Sequence, residues 1–415
     1  MTKDISPARL SAFSILNRID KGESNSAELM AEAQGKLQPA DRSLCHIIVF
    51  GTLRSQSLLD RIIAALTKNR KLDREVRIIL RLSLFQLRTL DRVPDYAVVN
   101  DAVNLTVKAG KSSARGLVNA VLRGFLRGDF KYGFADHLDE LSVETSHPRW
   151  LIEKWVRDFG ADDAEEIVRA NRTEPGLEFR LTPKGLSRGL SDLEDMDVEQ
   201  AIRLSEEGLI YLQDRGSQIV AETISLRDGD RFLDVCAAPG GKSGLVSMRN
   251  PVATVVSGDV SLKRADRMKR IFSKQESAIP VLVFDATRDM PFEDETFDVV
   301  LVDAPCTGTG TIRRNPEIPI RISLEEILVS ANLQRRILDV SSRLVKKGGR
   351  LIYSTCSLEV EENEAVAQDF LLTHSEFEKI DIEARDDSMS KNGFLRTFPH
   401  LNGTDGFFVA SFLKK

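Results

Sequence analysis

Beyond residue 225 the chain repeats one unit, a short and nearly continuous apolar run followed by a segment of helical period. The runs are RFLDVCA, ATVVSGDV, PVLVFDA, FDVVLVDAP and GRLIYSTC, with GFFVASFLKK as a last one. Strands that carry helices on both faces read as unbroken apolar runs, because neither face meets water. The segments LKRADRMKRIFSKQ and SLEEILVSANLQRRILDVSSRLVKKGG fit between them as helices. This alternation predicts a doubly wound, Rossmann-like α/β domain over 226–415.

The 415 residues exceed what one ordinary core organises, and the remainder has a different texture. Helical period runs through most of the first 130 residues, in ARLSAFSILNRI, LCHIIVFGTLRSQSLLDRIIAAL, REVRIILRLSLFQLRTL and SSARGLVNAVLRGFLR. The breaks are short, and no segment alternates as a strand would. An all-α bundle over 1–135 is predicted. Between about 140 and 225, SHPRWLIEKWVRDFG suggests a helix capped by Ser146, with Pro148 in its first turn and Gly160 at its end. LEFRLTP and GLIYLQDRGSQIVAETI add strand-like pieces, so 140–225 reads as a small α+β connector that belongs with the α/β domain after it.

Net charge is -5, but unevenly distributed. Residues 1–130 hold 21 Lys and Arg against 13 Asp and Glu, and the remaining residues hold 37 against 50. A basic helical module on an acidic α/β module invites a polyanionic partner, although a merely solvated basic surface would carry the same excess. No apolar run approaches the ~20 residues that a membrane helix needs, and MTKDISPARL lacks the layout of a secretory signal. A cytoplasmic protein without membrane contact is expected. Cys45, Cys236, Cys306 and Cys356 form no C-x-x-C pair and the five histidines no ligand motif, so no metal site is expected.

The first strand breaks into CAAPGGKS, which ends like a phosphate-gripping loop. That loop needs a glycine five residues before Gly241, so that amides can wrap the phosphates, and Cys236 stands there, followed by Ala237, Ala238 and Pro239. A nucleoside-binding loop accounts for more positions. Gly240 and Gly241 allow close backbone approach, and three further strands each end in an acid: Asp259, Asp285 and Asp303. Asp259 follows Gly240 by 19 residues, near the spacing at which an acid meets ribose hydroxyls. Asp285 is placed to accept from an adenine amino group.

Cys306 in DAPCTGTG and Cys356 in YSTCS end two strands on the same rim. One strand-end cysteine is most simply a packing residue. Two beside a nucleoside loop suit a methyl transfer to carbon 5 of cytosine, a poor nucleophile until a thiolate adds at carbon 6. Proton transfer at the ring nitrogen then needs a carboxyl, and Asp303 lies three residues before Cys306. Spacing leaves the two cysteines interchangeable.

DVCAAPGGKS, DAPCTGTG, RRNPEI and YSTCSLEVEENE together resemble the RNA cytosine-C5 methyltransferases of the Nol1/Nop2/Sun family. The N-terminal segment, with GLVNAVLRGFL at its end, is similar to the helical RNA-binding domain of the antitermination factor NusB. Their pairing resembles the bacterial Sun/RsmB-type enzymes that methylate small-subunit (16S) ribosomal RNA. The resemblance implies S-adenosylmethionine as cofactor, held by Cys236, Ala237, Ala238, Pro239, Gly240, Gly241 and Lys242 with Asp259, Arg264, Asp285 and Asp303. For Lys242 and Arg264 a structural salt bridge is the alternative. It implies Cys356 as nucleophile and Cys306 as the group that helps release product. Thr307 stands where the family usually has serine, Asn315 where histidine is frequent and Pro319 where lysine is common. None of these departures falls on the cysteines or the strand-end acids, and they bear on RNA contacts around Arg313 and Arg314.

Phosphate contacts are expected from Lys108, Lys111, Arg115, Arg123 and Arg127, and shape recognition of folded RNA suits an aromatic content of 6% better than strand tracking. A monomer acting on ribosomal RNA is the reading; a transfer-RNA cytosine methyltransferase, an NTP-hydrolysing RNA factor and a non-enzymatic RNA scaffold are the alternatives.

Overall fold

The computed structural model describes residues 5–191, 193, 196–382 and 390–415. The chain divides into two compact units. One comprises the residues up to Thr173 together with Ile312–Arg321, the other Glu174–Thr311 and Ile322–Lys415.

The first unit is helical: α1 (Pro7–Asp20), α2 (Ser26–Gln34), α3 (Pro39–Arg54), α4 (Gln56–Thr67), α5 (Arg74–Thr89), α6 (Asp95–Lys108), α7 (Arg115–Arg127), α8 (His137–Thr145), α9 (Arg149–Phe159) and α10 (Ala161–Ala170). Helix α5 is buried almost all round from Val76 to Gln86, Arg81, Ser83 and Gln86 included. Two polar groups on that scaffold are matched: Arg9 Nη1 donates to Asp101 at 2.7 Å and Arg9 Nε to Gln86 Oε1 at 2.7 Å. The long period through residues 44–66 conceals a break at Ser55, which leaves helical geometry between α3 and α4.

Two expectations are corrected here. Ser146 does not cap α9: its φ of 57° ends α8, and its hydroxyl accepts from the Ser57 backbone N–H at 3.2 Å. Pro148 is the residue before α9, while Gly160 ends that helix with a φ of 97°. The chain also parts at Thr173 rather than near 140, so α8 to α10 pack with the bundle. Ile312–Arg321 joins the bundle although it lies between two strands in sequence. Glu317, buried, accepts from Ser26 N at 2.8 Å and Ser26 Oγ at 2.9 Å, and Arg321 Nη2 donates to the carbonyls of Ile19 and Ser24. Its last four residues form α16 (Ile318–Arg321) on the sequence between those strands.

The second unit begins with a two-stranded antiparallel ribbon, β1 (Phe179–Leu181) and β2 (Ile210–Leu212). Around it lie α11 (Pro183–Ser187), α12 (Val198–Glu206) and α13 (Arg215–Glu222). After the ribbon comes a nine-stranded sheet: β3 (Arg231–Asp234), β4 (Thr254–Asp259), β5 (Val281–Val283), β6 (Phe297–Asp303), β7 (Val345–Thr355), β8 (Phe377–Ile380), β9 (Ser390–Lys391), β10 (Phe394–Arg396) and β11 (Phe408–Lys414). Its order is β5-β4-β3-β6-β7-β11-β10-β9, with β8 also on β11. The five strands β5-β4-β3-β6-β7 at one end of the sheet are parallel and the rest antiparallel. The doubly wound half is as expected, and the short antiparallel strands extend it. Helices α14 (Gly241–Arg249), α15 (Leu262–Lys274), α17 (Leu324–Ser342) and α18 (Glu364–Thr373) complete the layers. Strand order reverses between β3 and β6, where the crevice outside the carboxyl ends of such a sheet takes its ligand.

Among the described residues, no helix is long and apolar enough to cross a membrane.

Candidate active site

β3 delivers Asp234 to the crevice, and the chain turns through a cis Ala238–Pro239 bond and Gly240 into α14. Gly240 has a φ of 100°, and a Cβ there would stand 2.8 Å from Phe272 Cζ and 2.9 Å from Met268 Cγ. The glycine is therefore required by α15 packing beneath the loop, a reason the sequence did not reveal. Arg180, also unforeseen, supports the loop from below: its Nη2 donates to the Gly241 carbonyl at 3.1 Å and its Nε to Gln213 Oε1 at 2.8 Å. Burial lowers its pKa to about 10.

The side chains that mimic a phosphate loop are engaged with carboxylates. Lys242 Nζ donates to Asp303 Oδ2 at 2.6 Å, and Ser243 Oγ to Asp234 Oδ2 at 2.6 Å. A lysine and serine committed to two acids present neither charge nor hydroxyl to a triphosphate, which disfavours the NTPase alternative. Burial works against the Lys242 cation, but Asp303 outweighs it and raises the pKa, with Cys356 and Asp234 adding to the effect. Burial likewise raises the Asp234 pKa to about 7, against the opposing hydrogen bond from Ser243. Asp303 Oδ1 accepts from Ser354 Oγ at 2.7 Å, across the β6–β7 register that pairs these two residues.

Asp259 and Asp285 stand after β4 and β5 as expected. Asp259 Oδ1 accepts from Ser261 N at 2.8 Å and pairs with Arg264 at 3.1 Å. Lys242 and Arg264 thus both form structural salt bridges, the alternative to a ligand role for each. Asp285 accepts twice from Thr287, which with Arg288 lowers its pKa. A cavity of about 200 Å³ opens between the loop and β2, lined among others by Tyr211, Gln213, Ala238, Lys242 and Asp303. The loop thus brings Ala237, Ala238, Pro239, Gly241 and Lys242 to one cavity with Asp303, and leaves Asp259 and Asp285 outside its lining.

Cys306 and Cys356 meet: their sulfurs are 3.2 Å apart, and both residues are half-buried. The Cys306 thiol is held well above its ordinary pKa, first by its hydrogen bond to Cys356, then by burial, by charge on Cys356 and by Glu362. The other two cysteines are different in kind. Cys45 is buried with its pKa raised to about 11, and burial pushes Cys236 up as well. Only the thiolate is a nucleophile, and among the described residues neither of these two has a second cysteine paired with it as Cys306 and Cys356 have.

Gly310 stitches the corners together. Its N–H donates to the Cys356 carbonyl at 2.9 Å, and its own carbonyl accepts from Gly406 N at 2.8 Å. A Cβ at Gly310 would lie 2.1 Å from the Gly406 carbonyl oxygen, a backbone atom that cannot swing aside. Gly310→Ala is therefore expected to destabilise this unit by about 2–3 kcal/mol, measured by urea unfolding; a change below about 0.5 kcal/mol, the usual range of a neutral substitution, would contradict the stitch.

The basic residues divide. Arg115 and Arg123 are exposed and line one groove of about 620 Å³ between α6 and α7, together with Tyr96, Asn100 and Asn119. Lys108 is exposed. Lys111 pairs with Asp73 at 2.8 Å and Arg127 with Asp129 at 2.7 Å, which offsets their charge. Arg313 is 6% exposed and Arg314 half-buried in the helical unit, where the Arg313 carbonyl accepts from Arg54. A surface contact to RNA through Arg313 would require it to leave that packing.

Residues 221–413 match the family model described as 16S rRNA methyltransferase RsmB/F, and residues 6–127 match the NusB family. The chain is 32% identical to the probable ribosomal RNA small subunit methyltransferase B of Bacillus subtilis, over 97% of this chain and 98% of that one. It is 30% identical to the ribosomal RNA small subunit methyltransferase B of Pseudomonas putida, over 98% of each. The crystal structure of PH0851 superposes with a TM-score of 0.81 at 25% identity, covering the whole of both chains. With a mixed Rossmann-like sheet, paired strand-end cysteines and these relatives spanning its length, the chain belongs to the RsmB/F family of 16S rRNA methyltransferases, joined to a NusB-family domain.

Proposed function

We propose that the protein transfers a methyl group from S-adenosylmethionine to carbon 5 of a cytosine in small-subunit ribosomal RNA, through a covalent bond between Cys356 and the base. The observation that carries this is the 3.2 Å approach of the Cys306 and Cys356 sulfurs on the rim that holds Asp303 and Lys242. The donor set fits the cofactor: carboxylates at the ends of β4 and β5 accept from hydroxyl and amino groups, and a glycine loop opens a helix at the switch point. When bound, S-adenosylmethionine supplies an electrophilic methyl group.

Every other part falls to the chain's own residues. The Cys356 thiolate forms a bond to carbon 6, and the π pair of the 5,6 double bond moves to carbon 5. Asp303, held by Lys242 and Ser354, carries the proton at the ring nitrogen. Carbon 5 must then lose its hydrogen as a proton, taken up by water, and Cys306, whose sulfur is 3.2 Å from that of Cys356, assists this release. The electron pair returns to the ring and expels the Cys356 thiolate. RNA is brought by phosphate contacts of the basic helical unit, with Lys108, Arg115 and Arg123 as the exposed groups.

The test is methylation of unmodified small-subunit RNA and of unmodified transfer RNA, with the products identified by nucleoside mass spectrometry. The proposal expects 5-methylcytidine in the ribosomal RNA only. The same product in transfer RNA alone would change the substrate and keep the chemistry.

A further inference from the structure

Glu362 ends the turn between β7 and α18 and is completely buried. Its carboxylate receives four donors. Oε1 accepts from Thr307 N at 3.0 Å and from Gln334 Nε2 at 2.9 Å; Oε2 accepts from Ser357 Oγ at 2.5 Å and from Thr307 Oγ1. Thr307 directly follows Cys306, and Ser357 directly follows Cys356. One side chain therefore grips the residue after each cysteine. The grip is itself braced, since Tyr353 Oη donates to the Glu362 carbonyl and to Gln334 Oε1.

A carboxylate with no exposed surface costs several kcal/mol in lost hydration, and a purely mechanical peg needs no charge. A carboxylate differs from an amide here in accepting on both oxygens. Burial raises the Glu362 pKa and the hydrogen bonds from Ser357, Thr307 and Gln334 oppose that; ionised, it places a negative charge near Cys306, while the Lys242 ammonium lies on the Cys356 side. The titratable groups around the pair are Glu362 and Tyr353 toward Cys306, and Lys242 toward Cys356, with Asp303 and Asp234 acting on Lys242.

We propose that Glu362 is a positioning residue that clasps the two cysteine corners together and, by its charge, keeps their shared proton on Cys306, leaving Cys356 as the thiolate. This rests on the reading of Cys356 as nucleophile, and it supplies a physical reason for the asymmetry that motif spacing leaves open. Glu362→Gln retains the shape and offers an amide oxygen to Thr307 N and Gln334, while its NH₂ group can donate to the two hydroxyls. It removes the charge and reverses the direction of the two hydroxyl hydrogen bonds. Ser357→Ala retains the charge and removes one strand of the clasp.

The test has an arm independent of RNA: iodoacetamide labelling of the free protein across pH 6–9, with each cysteine read by peptide mass spectrometry and Cys45 and Cys236 as controls. Wild type is expected to label first at Cys356. Glu362→Gln is expected to shift labelling toward Cys306 at least threefold and to lower kcat at least tenfold, with KM for RNA and cofactor within about twofold. Ser357→Ala is expected to lower kcat while keeping the labelling preference, and it carries the test of the clasp should Glu362→Gln not fold. First labelling at Cys306 in wild type, or wild-type kcat and preference in Glu362→Gln, overturns the proposal; so does wild-type kcat in Ser357→Ala. Labelling as expected in a protein that methylates no RNA leaves the clasp standing and removes the functional reading beneath it.

Discussion

Cys356→Ala is expected to lower methyl transfer at least about a thousandfold, and Cys306→Ala to accumulate a protein–RNA adduct that survives denaturation. The first effect follows from the proposed mechanism, in which Cys356 adds to carbon 6; deletion of an essential nucleophile leaves little beyond binding and electrostatics. The second comes from the order of steps. In the proposed mechanism addition still proceeds with Cys356 intact, but the group that assists release is gone, so elimination stalls while the sulfur–carbon bond persists. Methyl transfer scored with labelled cofactor, together with gel retardation under denaturing conditions, reads both. An adduct in Cys356→Ala and none in Cys306→Ala would exchange the two roles and keep the chemistry.

Asp234→Asn is expected to gain stability relative to wild type by roughly 2–3 kcal/mol between pH 5 and pH 8, as the arithmetic of its raised pKa requires. The Asp234 side chain is wholly buried, and its pKa is raised by that burial to about 7, against about 3.9 in an unfolded chain. A raised pKa means that the folded state holds the proton more tightly. The stabilising contribution is full below about pH 4 and is lost as pH rises through about 7, at ~1.4 kcal/mol per unit. Asparagine keeps an acceptor for the Ser243 hydroxyl, which donates at 2.6 Å, and never ionises. Urea unfolding of both proteins at the two pH values isolates this group, because the other titrations cancel in the difference. A difference independent of pH would mean that Asp234 is ionised throughout.

Much of the site was legible because its chemistry lies in contiguous motifs at strand ends. DAPC and STC place Cys306 and Cys356 just past β6 and β7, and adjacent parallel strands carry them to one rim. What stayed hidden depends on contacts distant in sequence. Arg180 and Tyr211 support the glycine loop from a ribbon 30 to 60 residues upstream. Glu362 lay inside a motif already singled out, YSTCSLEVEENE, yet its partners Thr307 and Gln334 are 55 and 28 residues away. The assignment of Ile312–Arg321 to the helical unit carried no compositional signal, and the basic RRNP stretch read as an RNA contact although Arg313 is buried. Ser146 misled because a serine before a proline at a helix start usually caps it, whereas here the residue adopts a left-handed conformation and ends the preceding helix. The short antiparallel strands β8 to β10 carry too few residues for a period to show.

The most direct measurement of the central claim uses small-subunit RNA carrying tritium at carbon 5 of cytosine, and counts tritium released to water against methyl groups transferred. Addition of Cys356 at carbon 6 with methylation at carbon 5 predicts one tritium released per methyl group, with Cys306→Ala uncoupling the two as methyl is transferred and tritium retained. Methyl transfer by wild type without tritium release would place the new bond on a ring substituent or the ribose and contradict the account.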